Sequence, residues 1–363
     1  MHEELPKITK SLLPLSYLFG SVVGFRNRLF DWGVLRSESF DVPIICVGNL
    51  TVGGTGKTPH TEYLVSILHK KFNVAVLSRG YKRKTRGFLL ADESSGVREI
   101  GDEPFQIKNK FPHITVAVDE KRRRGIHRLL QINPLIDVII LDDAFQHRYV
   151  KPGLSILLMD YTRKIYEDQL LPAGRLREPL SSKERANIMI VTKCPTETKP
   201  IDIRIVSKYL TLRPHQQLYF STIQYGEIFP VFDKSASGRP LPDLDKENEA
   251  VLLVTGIAST RKLKQDLSQF AVALEEINFP DHHNFVQKDI EHIEKVFSQI
   301  AAKKKIILVT EKDAVRLQQL PFVTDFLKDN LFYLPIQVDF LDNRAAEFNQ
   351  KIYDYVKNNK RNR

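Results

Sequence analysis

The chain has 363 residues, 42% of them hydrophobic, so it can bury one large core or two moderate ones, and we expect two domains. The chain has 54 lysine and arginine residues and 44 aspartate and glutamate residues, a net charge of +10. This charge favours an anionic partner such as a nucleotide, a nucleic acid, a phosphorylated lipid or an acidic membrane surface. The two cysteines, Cys46 and Cys194, lack the spacing of a zinc site or a disulfide framework, so those fold classes are excluded and a reducing compartment is expected.

An apolar segment, Ser11–Phe25, lies near the N-terminus between basic residues. It is too short to cross a bilayer, because a spanning helix needs about 20 apolar residues. The acidic residues Glu3 and Glu4 also argue against a secretory signal. Apolar stretches with basic flanks are typical of helices that lie in a membrane interface. We therefore predict a membrane-interface helix within residues 1–35, with a helix packed on its own domain as the alternative.

From Val42 onward, short apolar runs alternate with helix-like stretches. This alternation predicts an α/β fold with a mostly parallel sheet that helices cover on both faces. The predicted strands are 43–47, 73–77, 114–118, 137–141, 155–159 and 187–191, and the predicted crossover helices are 57–71, 102–111 and 120–131. We assign this core domain to residues 36–213.

The pattern changes after residue 213. Residues 216–224 and 228–232 are predicted to form a two-stranded ribbon, and the Ser/Gly/Pro/Asp-rich stretch that follows is predicted to be a linker, so that ribbon and linker together take 214–245. A second, smaller α/β domain is predicted for 246–363. Its expected elements are strands at 251–255, 305–310 and 330–334 and a helix at 287–300.

The clearest motif, VGNLTVGGTGKT at residues 47–58, follows the first predicted strand and precedes a predicted helix. Strand, glycine-rich loop and helix are the context of a P-loop, in which backbone N–H groups surround phosphate oxygens. A lysine then reaches the terminal phosphates and a hydroxyl ligates Mg²⁺. This loop is a variant, because the strict pattern would have glycine at Thr51. The predicted nucleotide-binding residues are Gly53, Gly54, Thr55, Gly56, Lys57 and Thr58, with Thr58 also a metal ligand.

Two adjacent carboxylates, Asp142 and Asp143, end the neighbouring apolar strand VIIL. P-loop enzymes hold Mg²⁺ through an acidic residue at this place, directly or through water. The run DDAFQH differs from the Asp-x-x-Gly of GTPase switches, which argues against a signalling GTPase. We therefore predict that Asp142 and Asp143 bind the metal.

Further motifs are SRGY (78–81), GDEP (101–104), LLPAGRLREP (170–179), DHH (281–283) and TEKDAVRL (310–317). In this order and spacing, and over nearly its whole length, the chain resembles the tetraacyldisaccharide 4′-kinase family. The resemblance implies a P-loop NTPase-like kinase of two domains with the active site between them, so that the C-terminal domain contributes to the cleft. It also implies ATP and Mg²⁺ as cofactors and an N-terminal helix that meets the membrane.

The reaction implied by the resemblance is transfer of the ATP γ-phosphate to the 4′-hydroxyl of tetraacyldisaccharide 1-phosphate, a lipid A precursor. The product is the 1,4′-bisphosphate. The implied location is the cytoplasmic face of the bacterial inner membrane, as a peripheral or monotopic protein. We expect this lipid and the membrane surface as partners, no nucleic acid, and a monomer.

Transfer to a sugar hydroxyl needs a group that takes the hydroxyl proton and a cation that offsets phosphoryl charge. We assign the first role to Asp102 and His282, which domain closure could bring together, and the second to Lys57. Glu103 is expected in an outer Mg²⁺ role or in positioning the substrate, and Asp281 is expected at the substrate. Without the resemblance, a helix N-cap would be the preferred interpretation of Asp102, and a polar loop that of the DHH run.

The acceptor carries a phosphate, and guanidinium groups bind phosphate with two parallel hydrogen bonds. Three arginines lie in the motifs, and we predict that they bind the substrate: Arg79, Arg175 and Arg177. The alternative for each of them is ordinary surface charge.

Two other functions remain open. A P-loop GTPase or partition-type ATPase is the first, because 192–195 (TKCP) and 310–313 (TEKD) each resemble part of a guanine-reading Asn-Lys-x-Asp, although both lack the Asn. Turnover with GTP in place of ATP would discriminate the two classes. A nucleic-acid-binding module is the second, and its sign would be binding that depends steeply on salt and is not coupled to ATP.

Overall fold

The structure is a computed structural model that describes residues 8–233, 235–245, 248–257, 260–270, 273–281 and 283–359, without the side chains of Arg261 and Lys262. Contacts within the chain group these residues into two compact units. The first unit comprises the described residues of Met1–Ser94, Ile107–Ile223 and Val338–Arg363. The second comprises those of Ser95–Gln106 and Gln224–Gln337.

Strands and helices alternate through most of the described chain. Its strands are β1 Ile44–Asn49, β2 Val74–Ser78, β3 Leu89–Leu90, β4 Thr115–Val118, β5 Val138–Asp142, β6 Leu154–Asp160, β7 Ile188–Thr192, β8 Gln217–Tyr225, β9 Phe229–Pro230, β10 Glu249–Thr255, β11 Ala273–Asn278, β12 Lys304–Thr310, β13 Leu331–Leu334 and β14 Ile336–Phe340. Its α-helices are α1 Leu13–Asp31, α2 Lys57–Leu68, α3 Val97–Ile100, α4 Asp102–Lys110, α5 Arg122–Ile132, α6 Pro200–Leu210, α7 Arg261–Leu267, α8 Gln287–Gln299, α9 Glu311–Gln318, α10 Asp325–Asn330 and α11 Ala345–Asn359.

The described part of the first unit contains a nine-stranded sheet in the order β14-β8-β7-β6-β1-β5-β2-β4-β3. The pairs from β8 to β4 are parallel, and β3 is antiparallel to β4. All residues of β1, β2, β5, β6 and β7 are buried, as expected for a sheet covered on both faces. The six predicted strands and three predicted crossover helices of this region are confirmed to within a few residues. The carboxyl ends of β1 and β5 lie side by side, and ligands of open α/β sheets bind at such an edge.

The described part of the second unit contains a five-stranded sheet in the order β11-β10-β12-β13-β9. Its first four strands pair in parallel, and β9 is antiparallel to β13. The predicted strands β10, β12 and β13 and the predicted helix α8 are confirmed. Helix α8 buries Ile290, Ile293 and Phe297 in the core of this unit, which is the i, i+3, i+7 spacing of an amphipathic helix.

The predicted two-stranded ribbon is not formed, because its two segments belong to different sheets. Strand β8 pairs in parallel with β7, whereas β9 pairs with β13. Both segments have strand-like sequences, but which strand each one meets depends on long-range packing. The predicted linker is also packed in part: Leu241 and Leu244 are buried in the second unit, and Arg239 makes a two-pronged ion pair with Glu249, at 2.6 and 2.7 Å.

The boundaries of the compact units differ from those predicted. Residues 95–106 belong with the second unit, where the Gln319 side chain accepts a hydrogen bond from the Val97 N–H. The C-terminal helix α11 belongs with the first unit. Its Tyr355 hydroxyl donates to the Ile44 carbonyl of β1 at 3.0 Å, and its buried residues Phe348, Ile352 and Val356 form an apolar stripe. These contacts join residues far apart in the chain, so local patterns did not reveal them.

Candidate active site

The glycine-rich loop that is predicted to bind phosphate connects β1 to α2, and two of its glycines adopt backbone conformations that favour glycine. Gly53 has φ +108° and Gly56 has φ +82°, in the left-handed region that side chains with a Cβ atom rarely occupy. A Cβ atom at Gly54 would meet no described atom within 4 Å. The glycines therefore leave an open curve of backbone at the N-terminus of α2, where helix N–H groups favour an anion.

Hydrogen bonds from the ends of β1 and β7 hold this loop in place. The Asn49 side-chain amide donates to the Thr55 hydroxyl at 2.8 Å, and the Thr192 hydroxyl donates to the Thr55 carbonyl at 3.0 Å. The Lys193 ammonium donates to the Gly54 carbonyl. Residues 192–193 were considered as part of a guanine-reading motif, but here they bind the backbone of the P-loop.

A buried histidine behind the loop adds a further support. One ring nitrogen of His60, Nδ1, lies 2.8 Å from the Gly56 carbonyl, and the other, Nε2, lies 3.0 Å from the Ser221 hydroxyl. Burial lowers the pKa of His60 to about 4, so the ring is neutral at physiological pH. The carbonyl can only accept, so Nδ1 carries the proton and Nε2 accepts from Ser221. Sequence reasoning missed this residue, because a lone histidine in a helix has no distinguishing pattern.

The two carboxylates at the end of β5 have different surroundings. Asp142 is fully buried and accepts a hydrogen bond from the Thr61 hydroxyl at 2.9 Å. Asp143 has φ +45°, and its side chain is 30% exposed. One of its oxygens lies 3.7 Å from the Lys57 ammonium and 3.3 Å from the Arg177 guanidinium. The strained backbone and the two cations identify Asp143 as the carboxylate that faces the P-loop lysine.

The residues predicted to hold Mg²⁺ are of the types that P-loop enzymes use for this ion. Thr58 lies in the first turn of α2 and is half-buried, and Asp142 and Asp143 end the strand next to β1. Among the described residues there is no cluster of three or more His, Cys, Asp or Glu side chains of the kind that holds a metal without other ligands. A hydroxyl and one or two carboxylates are what Mg²⁺ uses when phosphate oxygens and water complete its shell.

The LLPAGRLREP segment lies directly against the P-loop. The Val52 N–H donates to the Arg175 carbonyl at 2.9 Å, and the Arg177 N–H donates to the Leu50 carbonyl at 2.7 Å. This pairing aligns Arg177 with Asp143 and the nucleotide loop. The third predicted arginine, Arg79, is exposed and follows β2.

In the second unit, Asp102 begins α4 and lies in a network of charged groups. Arg316 donates to one Asp102 oxygen through Nε, at 3.1 Å, and through Nη2. The same guanidinium donates to the fully buried Asp313 at 2.9 Å, and Asp313 accepts the Gly256 N–H at 3.0 Å. Asp102 is thus held by a side chain from α9, beyond any role at the helix start. Arg316 lies in the TEKDAVRL motif, but the sequence analysis gave this arginine no role.

A second cation of α9 lies between two other predicted residues. The Lys312 ammonium is 3.9 Å from the Glu103 carboxylate and 4.0 Å from the Asp281 carboxylate. Asp102, Glu103 and Asp281 thus all contact cations of α9. Glu103, for which an outer Mg²⁺ role was predicted, has the Lys312 ammonium as a neighbour. His282 lies outside the described residues, so its predicted partnership with Asp102 stays a prediction.

Comparisons with known proteins indicate one family over nearly the whole chain. The model of the family LpxK, tetraacyldisaccharide-1-P 4′-kinase, matches residues 8–357. A tetraacyldisaccharide 4′-kinase of Bacteroides thetaiotaomicron is 52% identical, with 100% of this chain and 97% of the relative covered, and one of Phocaeicola vulgatus is 53% identical, with 100% and 99% covered. The crystal structure of Aquifex aeolicus LpxK, described as an "apo" form in complex with ATP, has a TM-score of 0.72 and 31% identity and covers 96% of this chain and 99% of its own.

Proposed function

The chain belongs to the tetraacyldisaccharide-1-P 4′-kinase family, and on that premise we propose that it transfers the γ-phosphate of ATP to the 4′-hydroxyl of tetraacyldisaccharide 1-phosphate through the residues described above. The observation that carries the assignment of roles is the P-loop itself. Its lysine faces an acidic pair at the adjoining strand end, with Lys57 and Asp143 3.7 Å apart. That arrangement is the nucleotide half of a phosphoryl-transfer site.

On the nucleotide side, the loop from Gly53 to Gly56 binds the phosphates through its N–H groups and Lys57 binds the terminal phosphates. Bound Mg²⁺, held by Thr58, Asp142 and Asp143, would neutralise charge on the phosphate oxygens. Arg177 can exchange its contact with Asp143 for a phosphate oxygen, because a guanidinium binds either group with similar geometry. The ring of His60 keeps the loop in its open curve.

On the acceptor side, Asp102 with His282 takes the proton of the 4′-hydroxyl. Arg316 is a positioning residue, because it fixes the carboxylate through two nitrogens and is itself fixed by Asp313. Such preorganisation keeps the base in one orientation during transfer. Lys312 lies at Glu103 and Asp281, where a cation could meet an anionic group of the acceptor.

The test of this function is transfer of labelled γ-phosphate from ATP to tetraacyldisaccharide 1-phosphate with Mg²⁺ and detergent. We expect label on the lipid with ATP and much less with GTP. A matched control acceptor that already carries a 4′-phosphate should take no label. ATP hydrolysis without label on the lipid would instead favour the NTPase alternative.

We further propose that α1 attaches the protein to the cytoplasmic face of the bacterial inner membrane. One face of α1 packs on its own unit: the Ala173 N–H donates to the Ser16 hydroxyl at 2.9 Å, and the Asn27 amide donates to the buried Glu178 at 3.0 Å. The opposite face exposes an apolar stripe with i, i+3, i+7 spacing, at Leu15, Leu18, Val22 and Phe25. No described helix is both long and apolar enough to span a bilayer. The stripe supports a helix that lies in the interface.

Serine at Leu18, Val22 and Phe25 is therefore expected to lower the partition coefficient onto vesicles about 100-fold, because each side chain loses apolar contact with lipid. Co-sedimentation with phospholipid vesicles measures this. The matched control is serine at Ile201, Ile205 and Tyr209, an exposed apolar stripe on α6. Equal loss of binding in both variants would show that exposed apolar residues promote vesicle binding wherever they lie on the surface. Unchanged binding of the α1 variant would refute the proposal that α1 attaches the protein to the membrane.

A further inference from the structure

The loop between β2 and β3 forms a strongly basic pocket that the roles given above do not use, except at Arg79. The pocket has a volume of about 470 Å³ and is lined by residues 79–86 and Glu120. Lys82, Lys84 and Arg86 are all exposed. Glu120 is the one acidic residue among the described residues that line it, and that carboxylate is already paired with Arg83.

The fold holds this loop in a fixed shape. The Arg83 side chain is 2% exposed, and its guanidinium donates to the Gly87 carbonyl at 2.6 Å as well as to Glu120. Glu120 also accepts the Gly87 N–H at 3.0 Å. Lys82 has φ +60°, a conformation that costs free energy in a residue with a Cβ atom. The inward Arg83 thus anchors the loop, while its neighbours Lys82 and Lys84 are left at the surface.

A chain of contacts connects the pocket to α1. Arg148 and Tyr149 contact α1: the Tyr149 ring lies 5.0 Å from the Phe30 ring, and Arg148 donates to the Asn27 carbonyl at 2.8 Å. The ring of His147 accepts the Arg122 N–H at the start of α5, two residues after Glu120. Burial, and then the charges of Arg122, Arg26 of α1 and Arg79, lower the pKa of His147 to about 4. The hydrogen bond between Arg122 and His147 thus joins the segment that contacts α1 to the start of α5, beside Glu120.

We propose that Lys82, Lys84 and Arg86 form a contact site for the phosphate headgroups of anionic phospholipids in the membrane on which α1 lies. The inference rests on the membrane attachment proposed above. Clustered basic residues beside an interfacial helix are attracted to anionic lipid, and the exposed Tyr81 is an aromatic residue of the type found at headgroup depth. The three cations lie outside the residues assigned to transfer, so the site would strengthen attachment without taking part in the chemistry.

The test compares the full chain with the variant Lys82→Gln, Lys84→Gln, Arg86→Gln on two kinds of vesicle, phosphatidylcholine alone and phosphatidylcholine mixed with phosphatidylglycerol. We expect the variant to bind the mixed vesicles about tenfold or more weakly at low salt, and to bind the neutral vesicles as the unchanged protein does. The control is Lys288→Gln, Lys295→Gln, Lys303→Gln, which removes the same charge from exposed positions of the second unit and should bind almost normally.

Four results would overturn the proposal. Equal binding of the loop variant and the unchanged protein to mixed vesicles would remove the site, while leaving the α1 anchor intact. An equal loss in the control would assign the effect to net charge. A raised KM for the acceptor in neutral detergent, with vesicle binding unchanged, would assign the loop to the acceptor's own phosphate. If the unchanged protein binds neither kind of vesicle, the membrane attachment itself fails.

Discussion

Alanine at Lys57 is expected to lower kcat/KM for γ-phosphate transfer at least about 1000-fold, because the P-loop would lose its cation at the terminal phosphates. The side chain is 12% exposed and lies 3.7 Å from Asp143, so its ammonium is already directed into the site. After the substitution, Asp143 keeps its ion pair with Arg177. Transfer of labelled phosphate at saturating acceptor measures the effect.

The control for this variant is alanine at Lys70, an exposed lysine just beyond the C-terminus of the same helix. It should retain nearly full activity, and both variants should keep the thermal unfolding midpoint of the unchanged protein within a few degrees. If the Lys57 variant kept activity within about threefold, the loop would not be the nucleotide site. Loss of activity in both variants would indicate general damage to α2.

Asparagine at Asp102 is expected to lower kcat about 100-fold to 10,000-fold while leaving the KM for ATP within about threefold. The reason is that the amide keeps the size of the carboxylate but cannot take a proton from the acceptor hydroxyl. Asp102 could instead act as an ordinary acidic residue in the first turn of a helix, which would affect stability by only about 0.3–1 kcal/mol. Steady-state kinetics with each substrate varied separates the two roles.

Two further variants complete this test. Asparagine at Asp325, an exposed acidic residue in the first turn of α10, removes a helix-start charge elsewhere and should leave kcat unchanged. Lysine at Arg316 should lower kcat without altering the KM for ATP, because an ammonium cannot hold Asp102 and Asp313 in the same planar geometry. If the Asp102 and Asp325 variants behaved alike, the catalytic role of Asp102 would be refuted.

Much of the proposed nucleotide site could be predicted from the sequence, because its signals are local. A strand, a glycine-rich loop and a helix start occupy consecutive residues, and positive φ at Gly53 and Gly56 explains the glycines. The acidic pair was predictable because the carboxyl ends of parallel strands meet at one edge of the sheet, and β1 and β5 are neighbours. The apolar runs are long and β-branched enough to define the buried strands of both sheets.

The supports of the site were not predictable in this way. His60, Thr192 and Lys193 act on the P-loop through contacts with its backbone, and such contacts leave no motif. Arg316 belongs to a motif that was recognised, yet its partner Asp102 lies 214 positions away in the chain. A side chain's ionic partner is set by the path of the backbone between them.

The sequence by itself determined the fold class, the glycine-rich loop, the acidic pair at the end of β5 and the apolar N-terminal segment, because each depends on spacing within one or two elements. Only the tertiary structure decided that β8 and β9 join different sheets, that residues 95–106 pack with the second unit, and that α11 returns to β1. The physical reason is that strand-forming and helix-forming tendencies are local, whereas the choice of partner depends on burial and hydrogen bonding among residues that are distant in sequence.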